Sequence, residues 1–150
     1  MPTASHAIAT AELPWIALRE GLAMRPLHFE REGYALQLKL EPGTIIPRHR
    51  HTGVVHAINL SGHREIIGDG EIIGPGDFIF EPAGNVDSWR CHGDEPCIVQ
   101  ISLTGRVEYL SDDGAIESYS DSETALAAYL EHCAGNGISP DQRIIGEVRR

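Results

Sequence analysis

Between residues 22 and 110 the chain places apolar and polar residues in short runs broken by glycine and proline. Tyr34, Leu36, Leu38 and Leu40 are separated by Ala35, Gln37 and Lys39. That period of two marks a strand with one buried face. Comparable runs occupy residues 54–60, 64–67, 71–73, 77–81, 88–92, 98–103 and 106–110. Turn signals separate them, among them Glu41-Pro42-Gly43, Ser61-Gly62, Gly68-Asp69-Gly70, Gly74-Pro75-Gly76 and Pro82-Ala83-Gly84. Many short strands at this spacing predict an all-β sandwich or barrel.

The flanks follow other patterns. Residues 1–20 are weakly patterned, with an apolar cluster at Trp15, Ile16 and Leu18, and read as an arm packed on the barrel or on a neighbouring subunit. Ser120 followed by Glu123 is a capping-box spacing. Ala125, Leu126, Ala128, Tyr129 and Leu130 then form a helical stripe, and Gly135 is a stop signal. A helix is therefore expected within 120–135, and residues 136–150 read as a loosely attached end. A length of 150 residues suggests one domain, residues 1–150, able to bury a core without disulfides or zinc.

Charge and cysteine content narrow the partners. Lys39 and eleven arginines oppose 22 acidic residues, for a formal charge of −10. A nucleic-acid partner needs a basic patch, so none is expected. No run approaches the roughly 18 apolar residues of a membrane span, and the first residues do not read as a secretory signal, so none is expected. Cys91, Cys97 and Cys133 fit neither a zinc pattern nor a disulfide framework, and read as small buried hydrophobes in a reducing cytoplasm.

Five of the eight histidines lie between positions 49 and 92. His49 and His51 stand two apart on a predicted strand, so their side chains share a face. Facing inward, they could hold one metal ion; imidazole suits iron, nickel, copper and zinc. The competing reading is a pair of surface or packed histidines.

The surrounding segments resemble the cupin motifs. Gly43-x5-His49-x-His51-x4-His56-x5-Gly62 is similar to G-x5-H-x-H-x3-4-E-x6-G, with His56 where the family has glutamate and the last spacer one residue short. Gly76-x5-Pro82-x-Gly84-x2-Asp87 is similar to G-x5-P-x-G-x2-H-x3-N, with Asp87 in place of the histidine and no asparagine at the expected position. The wording is closest to small single-domain cupins of the 2,4'-dihydroxyacetophenone and acetylacetone dioxygenase type.

The resemblance implies a jelly-roll-like cupin β-barrel over residues 22–110 with a C-terminal helix. It implies a divalent metal, Fe(II) first, with Zn or Ni as alternatives. Its implied ligands are His49, His51 and Asp87, a two-histidine, one-carboxylate set typical of iron(II) oxygenases. Asp87 reads equally as a turn residue. His56 reads as a fourth ligand or as a group hydrogen-bonded to the ligands. His56, Glu65 and Trp89 are the candidates for catalytic contact. Glu81 is a further carboxylate placed in or near the barrel, and Phe80 a further pocket-lining candidate. Arg48 and Arg50 should face away from the metal. His63 reads as a turn or strand-surface residue, and His92 as a strand-end residue with a ligand role as the alternative.

By resemblance, the activity is dioxygen-dependent cleavage of a carbon–carbon bond beside a carbonyl in a small hydroxyketone or β-diketone. The alternatives are a non-catalytic metal-binding or sensor cupin, and a metal-dependent isomerase or hydrolase; fold alone does not choose. A homodimer or larger homo-oligomer is expected, because Trp15, Ile16 and Leu18 lack an evident partner strand and cupin barrels pair through sheet edges.

Overall fold

The computed structural model describes residues 4–146. Twelve strands run in order: β1 Ile16–Arg19, β2 Leu22–Phe29, β3 Gly33–Leu40, β4 Ile45–His51, β5 Val55–Ser61, β6 His63–Ile66, β7 Ile72–Ile73, β8 Phe78–Glu81, β9 Val86–His92, β10 Cys97–Thr104, β11 Val107–Leu110 and β12 Ile116–Ser120. They form two six-stranded sheets, ordered β1-β2-β3-β10-β5-β8 and β12-β11-β4-β9-β6-β7. All strand pairings are antiparallel. This is the jelly-roll-like cupin architecture that the motifs imply, built as two sheets with separate ladders and not as one closed barrel.

The inner faces carry the alternating apolar positions. Leu36, Val55, Ala57 and Leu103 of the first sheet face Ile46, Trp89 and Val107 of the second. Between them lies a mostly apolar cavity of about 240 Å³.

The N-terminal arm has a partner within its own chain. β1 pairs with β2, Ile16 opposite Met24, and both side chains are buried. Leu18, at the cavity wall, belongs to the same edge strand. The reason given above for expecting a second subunit therefore does not hold.

The helix α1, Ser122–Gly135, has its cap one residue later than expected. Ser120 ends β12, and Asp121 is the cap. Its carboxylate accepts from the Thr124 N–H at 2.8 Å, and the Thr124 hydroxyl accepts from the Asp121 N–H at 2.9 Å. Such a cap contributes about 1 kcal/mol. Ala125, Leu126, Tyr129 and Cys133 are buried, and the helix packs against β1 and β2.

The end after the helix is fastened, contrary to expectation. The Tyr129 hydroxyl accepts from the Asp141 N–H at 2.8 Å. Ile144 is fully buried, and Gly146 N–H donates to the Phe29 carbonyl at 2.8 Å. Burying one isoleucine stabilises by roughly 2 kcal/mol, enough to hold a short segment. Residues 147–150 of that end lie outside the described residues, as do residues 1–3 of the arm.

Candidate metal centre

The two histidines face inward because β4 is irregular. Ile46 lies opposite Trp89 and His49 opposite Asp87, so three steps on β4 match two on β9. An extra residue in one strand resets its phase. Ile46, His49 and His51 consequently all point inward and are buried. Pro47 and Arg48 occupy the irregular step, where a residue without an N–H removes no ladder bond.

The same irregularity fixes the tautomer of His49. Its Nδ1 lies 2.7 Å from the Pro47 carbonyl. A carbonyl only accepts, so Nδ1 donates to it, and in the neutral ring Nε2 presents a lone pair. That Nε2 lies 3.3 Å from Asp87 Oδ1, a buried oxygen with no hydrogen-bond partner. Two acceptors facing each other at this distance leave a place for a cation between them.

A parallel pair stands beside it. His51 Nε2 is 3.8 Å from Glu81 Oε1. The His49 and His51 ring centroids are 5.0 Å apart, with the planes nearly perpendicular. Asn85 links the two carboxylates, donating to Glu81 Oε1 at 2.8 Å and to Asp87 Oδ2 at 3.3 Å. Among the described residues, no three His, Cys, Asp or Glu side chains already converge as a metal-binding group. The donors instead stand as two His–carboxylate pairs.

Burial sets the protonation states. Desolvation, then the neighbouring His49, pushes the His51 imidazole down to about 4, so it is neutral at physiological pH. Neutral imidazole is the form that ligates metal. Burial and the Glu81 charge push the Asp87 carboxyl up, against the pull of His49. A cation beside these carboxylates would relieve both penalties. On chemistry, the donor set and its orphaned oxygen fit a divalent metal held by His49, His51 and Asp87.

The structure separates the other candidates. β5 restarts after Thr52-Gly53 with Val55, Ala57 and Asn59 buried, and His56 exposed between them. His56 packs against Phe78 and Phe80 on the outer face, away from the histidine pair. The motif's own spacings, three residues after His51 and six before Gly62, fall on Val55 rather than His56. A one-residue shift of register exchanges the two faces of a strand. Glu81 lies directly opposite Val55 on β8, so the neighbouring strand brings a carboxylate to this place.

Glu65 also faces outward and pairs with Arg90 at 2.5 Å. Phe80 is exposed and lines no part of the cavity. Trp89 is buried on the cavity wall, beneath the guanidinium of Arg64 at 4.7 Å. Arg50 faces outward as expected, with Glu108. Sequence reasoning passed over Arg64 and Asn85. Arg64 had a signal: in the run His63-Arg64-Glu65-Ile66 it alternates with positions that face solvent.

Comparison with known proteins follows this geometry. Residues 3–104 match the model of the ChrR cupin-like domain family. A search of curated proteins gives no match. Among solved structures, an RmlC-like cupin protein from Ralstonia eutropha superposes with a TM-score of 0.86 at 21% identity, covering 92% of each chain. An acetylacetone dioxygenase from Acinetobacter johnsonii superposes with a TM-score of 0.77 at 16% identity, covering 87% of this chain and 95% of its own. The polyketide cyclase RemF from Streptomyces resistomycificus gives 0.61 at 12% identity, covering 95% and 100%. These likenesses show a fold shared by different chemistries. With two thirds of its length matched by one family model, the chain belongs to the ChrR cupin-like domain family.

Proposed function

We propose that this chain is a metal-dependent cupin oxygenase acting on a small hydroxyketone or β-diketone. His49, His51 and Asp87 would hold one divalent ion, iron(II) first, with zinc or nickel able to occupy the same donors. The observation that carries this reading is the facing pair of His49 Nε2 and the unpartnered Asp87 Oδ1, with His49, His51 and Glu81 lining the mostly apolar cavity. When bound, the metal would supply a Lewis acid for the substrate oxygens and the redox chemistry that dioxygen requires.

The chain's own residues do the rest. The Pro47 carbonyl orients His49, and Asn85 holds the two carboxylates in register. Trp89, Leu36, Val55 and Leu103 surround the substrate and keep water from it. Glu81, which accepts from Asn85, places a carboxylate oxygen 3.8 Å from His51 Nε2. Anaerobic purification, metal analysis and oxygen uptake with a panel of β-diketones and hydroxyacetophenones test the reading. Uptake that depends on His49 supports it; metal binding with no uptake across the panel counts against it.

A second reading is a metal-binding cupin without turnover, and that second outcome would select it. A homo-oligomer in the cytoplasm completes the proposal. Three buried free cysteines suit a reducing compartment. Exposed Phe78 and Phe80, on the edge strand of the first sheet, offer a face for a second copy. Among the described residues no helix is long and apolar enough to cross a membrane. A monomer mass by light scattering at micromolar concentration would remove the assembly from the account.

A further inference from the structure

Arg64 is 3% exposed, yet Nε and Nη2 of its guanidinium have no hydrogen-bond partner. These atoms form one edge of the planar group, the edge that pairs with a carboxylate through two parallel hydrogen bonds. A buried, unsatisfied donor is costly, and a charged one more so. The side chain is held firmly all the same: it stacks on Trp89 and lines the cavity that holds His49, His51 and Glu81. Glu81 and Asp87 act on it through their charge, but neither hydrogen-bonds to the free edge.

Charge balance points the same way. The two carboxylates match a divalent ion, which leaves the positive charge of Arg64 for the ligand. The rest of the wall is largely aliphatic and aromatic, so it suits a short carbon skeleton.

We propose that the cavity's ligand is a small hydroxyketone or β-diketone that also carries a carboxylate, which pairs bidentately with Nε and Nη2 of Arg64. This deepens the oxygenase reading and rests on it for the carbonyl end of the ligand. The carboxylate end is testable without turnover.

The probes are 4-oxopentanoate and its methyl ester, titrated by calorimetry into zinc-loaded and metal-free protein. The acid should bind roughly tenfold more tightly than the ester, because charge-assisted bidentate pairs are strong. Arg64→Met, similar in length but uncharged, should bring the acid-to-ester ratio to about one. Arg64→Lys keeps the charge without the fork, so its ratio should be intermediate. Both variants should retain metal, since Arg64 is not a ligand. If Arg64→Met fails to fold, Arg64→Lys decides: a reduced ratio supports the pairing and an unchanged ratio overturns it. Equal binding of acid and ester by the parent protein also overturns it. Protein that takes up no zinc but still prefers the acid through Arg64 would sink the oxygenase reading and leave this one standing.

Discussion

Two clusters of charge sit on opposite faces of the same sheet, and they differ in completeness. On the outer face, the carboxylate of Glu108 accepts from Arg50 at 2.8 and 3.1 Å and from Arg106 at 2.6 and 2.9 Å. Its pKa is held below the usual carboxylate range by those hydrogen bonds, that of Arg50 first. On the inner face, His49 and His51, one residue to either side of Arg50, meet Asp87 and Glu81 with Asp87 Oδ1, His51 Nδ1 and one edge of Arg64 left unpartnered. A satisfied network fixes a fold; one with buried orphans stores cost that a ligand can relieve. The outer cluster is read as architecture and the inner one as a place for a cation.

Substitutions should break the two clusters in different ways. The largest effect is expected from His49→Ala or His51→Ala, each of which should abolish stoichiometric metal by elemental analysis and any oxygen uptake. Asp87 comes next. Asp87→Ala should weaken metal binding by about tenfold or more, the scale seen even for groups that only orient ligands. Asp87→His places at this position the histidine of the motif it resembles, and should keep metal while shifting its redox potential. Metal content and activity untouched by both variants would make Asp87 a turn residue.

Glu108→Gln should do the opposite: metal stays, and urea unfolding shows a loss of about 1–3 kcal/mol from weakened charge-assisted bonds. The two arginines are partly exposed and can rehydrate, which limits the loss.

The smallest effect is a titration. In metal-free protein the His51 ring resonances should titrate near pH 4, not at the ordinary 6.5. As pH falls from 6.5 towards 4, the unfolded chain takes up this proton and the folded one does not, so His51 removes stability across that window. Asp87 works the other way, because its raised carboxyl takes up a proton in the fold before it would in the unfolded chain. A His51 midpoint near 6.5 would contradict the inward burial of the ring.

Much of the fold was legible because period-two alternation reports one-sided burial directly. It ran clearly through Tyr34 to Leu40, where the whole strand forms as expected. β1 and β12 were illegible for a physical reason: one residue in the first and none in the second is buried, so no alternation is visible. The tail after the helix is held chiefly by Ile144 and a few backbone bonds, which leave no pattern.

The site was legible in part. That His49 and His51 share a face follows from spacing alone, but which face depends on the irregular step at Pro47–Arg48. His56 could not be placed from sequence, because Thr52-Gly53 interrupts the strand and its restart sets the parity. Glu81 was visible as a carboxylate near the barrel; its position opposite Val55 is a matter of cross-strand register, which spacing within one strand does not carry.

Cobalt(II) titration of the metal-free protein tests the central claim most directly. The account predicts saturation at one ion per chain, with visible absorption from nitrogen and oxygen ligands that disappears in His49→Ala and persists in Glu108→Gln. Absence of saturable binding, or binding that survives His49→Ala with an unchanged spectrum, would contradict it.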